Sequence, residues 1–221
     1  MIVIADVHGF YDKLKQLIEK IGSEDICFVG DLIDRGPNSK EVVHFVRSNN
    51  YPCVLGNHEQ MMIDSFYEEC YGEMTYLWVS NGGSETLQSY GMSVRDYISL
   101  KSENKLPVDF VSDVKWMETL PVYIHFGHVF DSVGNNLVVS HSAVLPYWEE
   151  RDLHNRKDDI IWGRDRIFDS VDVNGLINVF GHTPMRFVEK RNNQICIDLG
   201  CFFSGKLTSY NFVTSEVVVQ E

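Results

Sequence analysis

The sequence lacks any apolar run of transmembrane length, and its Met1-Ile-Val-Ile-Ala start gives way at once to Asp6. A bilayer helix needs about 20 apolar residues, so no spanning segment and no membrane partner are expected. The start also lacks the basic, apolar, small-residue order of a secretory signal, and the chain is read as cytoplasmic. There is no repeat, low-complexity tract or Pro-rich linker. The 221 residues therefore fit one domain over 1–221, with an insert.

Positive charge is scarce. Nineteen Lys and Arg stand against 32 Asp and Glu, a formal net charge of -13. Nucleic-acid binding leans on cations that neutralise phosphates, so no nucleic-acid partner is expected. Cysteine is sparse as well: Cys27, Cys53, Cys70, Cys196 and Cys201 are odd in number, lack metal-site spacing and mostly sit in apolar runs. Reduced, packed thiols are the expectation. Oligomeric state leaves no mark in the sequence.

What is present is a strand-helix alternation. Ile2 to Ala5 reads as a buried strand, and Leu14, Leu17, Ile18 and Ile21 share one helical face. Ile26 to Val29 reads as a second strand. Val42, Val43, Phe45 and Val46 mark a second helix, and Cys53 to Leu55 a third, short strand. The stretch at about 61–120 reads as helices and loops forming a cap, packed by Trp78, Trp116, Tyr76 and Tyr90, with a place in a substrate groove as the alternative for these aromatics. Val122 to Val129 and Asn136 to Ser140 read as a hairpin. Ile177 to Phe180, Gln194 to Leu199, Leu207 to Val213 and Glu216 to Val219 read as further strands. The fold class is α/β: two mixed sheets packed as a sandwich and flanked by helices, in four layers.

Five apolar runs are each followed by a polar cluster. These are Asp6-Val7-His8-Gly9, Gly30-Asp31-Leu32-Ile33-Asp34-Arg35-Gly36, Gly56-Asn57-His58-Glu59, Ser140-His141 and Gly181-His182-Thr183-Pro184. Open α/β sheets bind ligands at the carboxyl ends of their strands, where these clusters fall. Alone, each has a bland reading: a turn, a helix start or a packed histidine. Together, Asp, His and Asn suit divalent first-row metals better than Mg or Ca, because imidazole is abundant. So many ligands imply two ions rather than one.

The clusters resemble the metallophosphoesterase signature. Gly-Asp-x-x-Asp-Arg-Gly and Gly-Asn-His-Glu point to its phosphoprotein phosphatase branch. The resemblance is closer still to the bacteriophage lambda-type serine/threonine phosphatases. The likeness extends through Asn57-His58-Glu59-Gln60-Met61-Met62-Ile63-Asp64, Trp78 to Gly83, Ile161-Trp162 with Arg164, and Ile197-Asp198 with Gly200. It implies a calcineurin-like fold and hydrolysis of phosphate monoesters on phosphoproteins or phosphopeptides, by in-line attack of a metal-bridging hydroxide. Diadenosine tetraphosphate or another small phosphoester is the alternative substrate.

The resemblance also implies roles. Asp6 and His8 would hold one ion, Asp31 would bridge, and Asn57, His141 and His182 would complete the second. The cofactor would be two divalent ions, manganese first, with iron or zinc as alternatives. Arg35 and Arg164 would grip the phosphate. His58, paired with Asp34, would be the general acid. Three positions depart from the pattern: Ala5, Ser142, and Leu55, which stands where lambda-type enzymes carry Arg.

The acidic chain is reconciled with an anionic substrate by local charge. Two divalent ions bring +4 and Asp6 with Asp31 bring -2, which leaves +2 before the arginines are counted. Glu59 and Asp198 are expected to support ligands from behind. His44 and His154 are expected at the surface, His125 and His128 in structural positions, and Glu149-Glu150 and Asp158-Asp159 in solvent.

Overall fold

A computed structural model of the protein describes residues 1–22, 25–69, 71–169, 171 and 173–221. Cys70 lies outside the described residues. Strand β1 (Ile2–Ile4) pairs in parallel with β2 (Ile26–Phe28). The two are linked by helix α1 (Tyr11–Ile21), whose Leu14 and Leu17 are buried. Helix α2 (Ser39–Ser48) follows, burying Val42, Val43 and Val46 as their helical spacing requires.

Helices occupy the middle of the chain: α3 (Asn57–Tyr67), α4 (Glu73–Trp78), α5 (Ser84–Ser89), α6 (Val94–Ser102) and α7 (Val108–Met117). A wide turn, Val79–Gly83, joins α4 to α5 and kinks at Gly82. Then β3 (Tyr123–Phe130) and β4 (Asn136–Ser140) form the expected antiparallel hairpin. After α8 (Lys157–Trp162) come β5 (Leu176–Phe180), β6 (Glu189–Arg191), β7 (Gln194–Cys196), α9 (Cys201–Ser204), β8 (Leu207–Asn211) and β9 (Val217–Gln220).

Two mixed sheets result, ordered β2-β1-β8-β9 and β3-β4-β5-β7-β6. Between them lies an apolar layer that includes Val3, Cys27, Val29, Leu137, Val139, Val179, Ile195 and Phe212. The outer face of the first sheet is covered by α1, α2 and the middle helices through Leu14, Val43, Met62, Trp78 and Phe110, among others. The second sheet's outer face carries a smaller layer with Val138, Val144 and Ile160. At about 1.5–3 kcal/mol for each large side chain removed from water, these layers supply the main favourable term of folding.

Three expectations are corrected. Cys53 to Leu55 is not a strand but a single bridge, Phe28 to Cys53. Its backbone leaves the sheet because the Leu55 N–H donates to the Pro121 carbonyl at 2.8 Å instead of to a strand. Leu55 packs into the core at 3% exposure. Tyr76, expected to pack, is 63% exposed on α4, whereas Trp78, two positions on, is fully buried. His125 and His128 are exposed on the hairpin, although His125 stands edge-on to Trp148 with the rings 5.9 Å apart.

The four described cysteines are free and buried. His44 is partly exposed as expected, but its Nε2 meets the buried Asp113 carboxylate at 3.0 Å. Among the described residues no helix is long and apolar enough to cross a membrane.

Candidate metal centre and phosphate cleft

The polar clusters meet because the strands carrying them are neighbours. Asp6 and His8 follow β1, Asp31 follows β2, Asn57 and His58 open α3, His141 follows β4 and His182 follows β5. All except His182, at 5%, are less than 5% exposed. Five site residues, His8, Asp31, Asp34, Arg35 and His182, hold φ between 47° and 72°. Non-glycine residues in that left-handed region cost roughly 1–2 kcal/mol each. Such strain gathers where surrounding contacts over-determine a functional geometry.

Two glycines admit the carboxylates. A Cβ on Gly56 would lie 2.3 Å from Asp31 Oδ1, and one on Gly181 would lie 2.0 Å from Asp6 Oδ1. Glu59 sits behind Asp31. Its carboxylate accepts the N–H groups of Asp31 at 2.9 Å, Leu32 at 2.8 Å and Gly56 at 3.0 Å, which pins the two motif loops together.

The tautomers of His141 and His8 follow from their outer partners. His141 Nδ1 donates to the Val29 carbonyl at 2.8 Å and His8 Nδ1 to that of Ile33 at 3.0 Å, leaving each Nε2 a lone pair. His182 Nε2 lies 3.2 Å from the Trp162 carbonyl, which would accept its proton, and 3.1 Å from the Arg164 Nε–H, which donates to its lone pair, so its two outer contacts call for opposite tautomers. Burial holds His8 and His141 well below the ordinary imidazole pKa and His182 at about 3, so all three stay neutral.

This arrangement brings acceptors face to face. Asn57 Oδ1 is 2.9 Å from both His141 Nε2 and His182 Nδ1, and those two nitrogens are 3.1 Å apart. Asp31 Oδ1 joins them at 3.3 Å from His141 Nε2, while Asp31 Oδ2 lies 3.6 Å from His8 Nε2. With the His182 proton on Nε2 and Asp31 ionised, Asn57 Oδ1, His141 Nε2, His182 Nδ1 and Asp31 Oδ1 are four acceptors crowded together, a set that a cation satisfies. Burial, then Asp198 and Asp31, push Asp6 well above the ordinary carboxylate pKa; burial, then Glu59, does the same to Asp31. Crowded carboxylates of this kind relax once a divalent ion is present. The donor set of oxygen and imidazole nitrogen fits first-row divalent metals.

Two groups of potential ligands share Asp31: His8, Asp31 and His58, and Asp31, His141 and His182. Asp6 borders the same cleft, but its oxygens accept the His182 N–H at 3.1–3.2 Å. His58 faces Asp31 from the other side, with its Nε2 3.9 Å from Asp31 Oδ2.

The cleft has a volume of about 610 Å³, within the range of ligand sites. Arg35 and Arg164 border it. The Arg35 guanidinium donates to the Nε2 of both His8 and His58 at 2.9 Å. His58 Nδ1 donates to Asp34 Oδ2 at 2.6 Å.

Sequence reading missed several lining residues. Phe202 and Phe203 are 49% and 67% exposed in the cleft, and the Arg35 guanidinium stands 5.5 Å over the Phe202 ring. Ser80, Asn81, Ser84 and Glu85 form a polar wall. No spacing rule flags such residues, because their position depends on two loops folding toward each other.

The family model for calcineurin-like phosphoesterases matches residues 1–205. The chain is 29% identical to the asymmetrical bis(5'-nucleosyl)-tetraphosphatase of Halalkalibacterium halodurans, over 98% of this chain and 91% of that protein. It is 27% identical to serine/threonine-protein phosphatase 1 of Salmonella typhimurium, over 93% and 88%. The fold matches a crystal structure of a candidate diadenosine tetraphosphatase at a TM-score of 0.66 and 18% identity, over 99% of this chain and 91% of that one.

Proposed function

The chain belongs to the calcineurin-like phosphoesterase family, and from that premise we propose that it is a two-metal phosphatase for phosphoserine and phosphothreonine in proteins. One observation carries the metal part: ligand atoms of Asn57, His182 and Asp31 lie 2.9–3.3 Å from His141 Nε2, and His8 Nε2 approaches the other oxygen of Asp31. Asp6, His8, Asp31, Asn57, His141 and His182 would hold the ions. Divalent ions there would lower the pKa of water from about 15.7 toward 7 and neutralise phosphate charge.

The chain's own groups do the rest. Arg35 and Arg164 are planar forks that hold phosphoryl oxygens bidentately and in line. His58 sits 2.6 Å from Asp34, which orients its imidazole and leaves Nε2 facing the cleft. In the metal-free protein Nε2 accepts from Arg35, and burial with Arg35 holds His58 well below the ordinary imidazole pKa. His58 therefore serves as the acid only once Nε2 has taken up a proton with Arg35 turned to the phosphate. That proton then passes to the departing serine oxygen as the P–O bond breaks. Such general-acid help is worth roughly 10²–10⁴-fold, most for a poor leaving group. Positioning and electrostatics supply most of the remainder in phosphoryl transfer.

A second reading, hydrolysis of dinucleotide polyphosphates, is favoured by a separate observation. Phe202 and Phe203 line the cleft half-exposed beside Arg35, a shelf on which a nucleobase could stack. Relatives such as the Halalkalibacterium halodurans protein carry that activity in their names. The two readings separate in one assay: manganese is restored to chelator-stripped protein, and phosphoserine peptides are compared with dinucleotide polyphosphates. Hydrolysis of the peptides supports the first reading. Activity on dinucleotides alone overturns it.

A further inference from the structure

We propose that the segment Trp78–Thr86 is a positioning element for the general acid: the Trp78 indole N–H and the Thr86 hydroxyl clamp the Asp34 carboxylate so that its remaining face meets Nδ1 of His58. This rests on the phosphoesterase reading above.

The hydrogen bonds are explicit. Thr86 Oγ1 donates to Asp34 Oδ1 at 2.6 Å, and Trp78 Nε1 donates to Oδ1 at 3.0 Å and to Oδ2 at 3.2 Å. His58 takes the remaining face of Oδ2. Thr86 Oγ1 also accepts the Asp34 backbone N–H at 2.9 Å, so one hydroxyl holds both ends of the residue. Asp34 is fully buried, and these donors are what an isolated carboxylate in that place needs. Burial pushes Asp34 up to about 8, and the Thr86 and Trp78 bonds pull the other way by favouring its charged form.

The same segment holds the backbone. Asp34 and Arg35 sit consecutively in the left-handed region, at φ 72° and 70°. The Gly82 carbonyl accepts the Arg35 N–H at 3.2 Å, which secures the second of them. Gly82 is itself at φ 106°, and a Cβ there would lie 2.6 Å from the Arg35 nitrogen. Trp78 cannot shift easily. A Cβ on Gly83 would meet its ring atoms at 2.6–2.7 Å, and Tyr97 stands edge-on to it with the rings 5.7 Å apart.

Packing alone would need the indole ring but neither its N–H nor the threonine hydroxyl. The test removes only those donors, in Trp78→Phe and Thr86→Val, with Thr86→Ser as the conservative variant. With manganese, kcat on an alkyl phosphate should fall about tenfold further than kcat on p-nitrophenyl phosphate, whose leaving group needs little protonation. Thr86→Ser should stay within about twofold of the parent on both. In chelator-stripped protein held above pH 8, where Asp34 is ionised, the low-field proton resonance of His58 Nδ1–H should move upfield in Trp78→Phe and Thr86→Val and stay in Thr86→Ser. Equal losses on both esters, or an unmoved resonance, overturn the proposal. Should the parent protein hydrolyse no phosphate ester, the phosphoesterase reading fails, and the resonance still decides the positioning.

Discussion

Nδ1 of His58 lies 2.6 Å from Oδ2 of Asp34, and both side chains are sealed from solvent. Such a pair fixes one imidazole nitrogen and turns the other, which accepts from Arg35 at 2.9 Å, toward the cleft where a proton donor is needed. His58→Asn keeps a polar side chain at the N-terminal turn of α3 but cannot deliver that proton. Turnover of alkyl phosphates should fall roughly 10²-fold or more, with a smaller loss for phenolic esters and little change in metal affinity. Steady-state kinetics across esters of graded leaving-group pKa checks this, and equal losses along the series refute the acid role.

Among the described residues Asp31 is the one carboxylate that approaches His8, His58 and His141 together. Asp31→Asn removes the shared charge, and titration calorimetry with manganese should then show both sites weakened. Two tight sites surviving in the variant would mean that Asp31 does not bridge.

Glu59 is predicted to matter for the metals without reaching them. Its oxygens accept four backbone N–H groups, from Asp31, Leu32, Ile33 and Gly56. Glu59→Gln turns an amide donor toward some of those N–H groups. The expected cost is about 2–3 kcal/mol of stability, because buried donors lose their acceptor. Metal affinity should fall roughly 10- to 100-fold, as when a supporting group behind a ligand is lost. Chemical denaturation and calorimetry read the two effects separately.

Metal-free protein should lose stability as pH rises from 6.5 to 8. Folding raises Asp34 to about 8 and Glu59 to about 7, with burial the main cause in both. A group raised on folding binds more protons in the native state, so its stabilising contribution is present at low pH and lost as pH climbs through the folded value. His182, lowered to about 3, acts in the opposite direction, but only below the unfolded imidazole value of 6.5. Between 6.5 and 8 the carboxylates therefore dominate, with an effect on the order of 2 kcal/mol for Asp34 alone. A domain of this size should show a fall in Tm of about 4–8 °C. Manganese should flatten the slope, and a Tm that rises over that interval would contradict the assignment.

The shelf of Phe202 and Phe203 separates the two substrate readings. Phe202→Leu and Phe203→Leu keep an apolar side chain but remove the flat ring. Loss of base stacking, worth about 1–3 kcal/mol, should lower kcat/KM on dinucleotide polyphosphates roughly 5- to 150-fold and leave phosphoserine peptides unchanged. Parallel losses on both would mean that no base rests there.

Much of this was legible in the sequence for a physical reason. Strand ends and tight turns are local features, and Asp6, Asp31, Asn57, His141 and His182 each follow an apolar run, so their shared location follows from sheet topology. What escaped was set by tertiary contact. Cys53 to Leu55 has a strand's composition, but the pull of the Pro121 carbonyl on Leu55 limits it to one bridge. Leu55, which stands where lambda-type enzymes carry Arg, packs into the core. Trp78 read as packing, and its indole N–H finds Asp34 only because a kink at Gly82 folds the segment back, 44 residues along the chain. Strand β6, Glu189–Arg191, has no apolar alternation to reveal it, because it is an edge pairing only with β7.

Counting ions is the most direct test of the whole account. Chelator-stripped protein titrated with manganese, by calorimetry and by equilibrium dialysis with elemental analysis, should saturate at two ions per chain, with phosphate-ester hydrolysis appearing as the second binds. Saturation at one ion, or full hydrolysis with none bound, would contradict it.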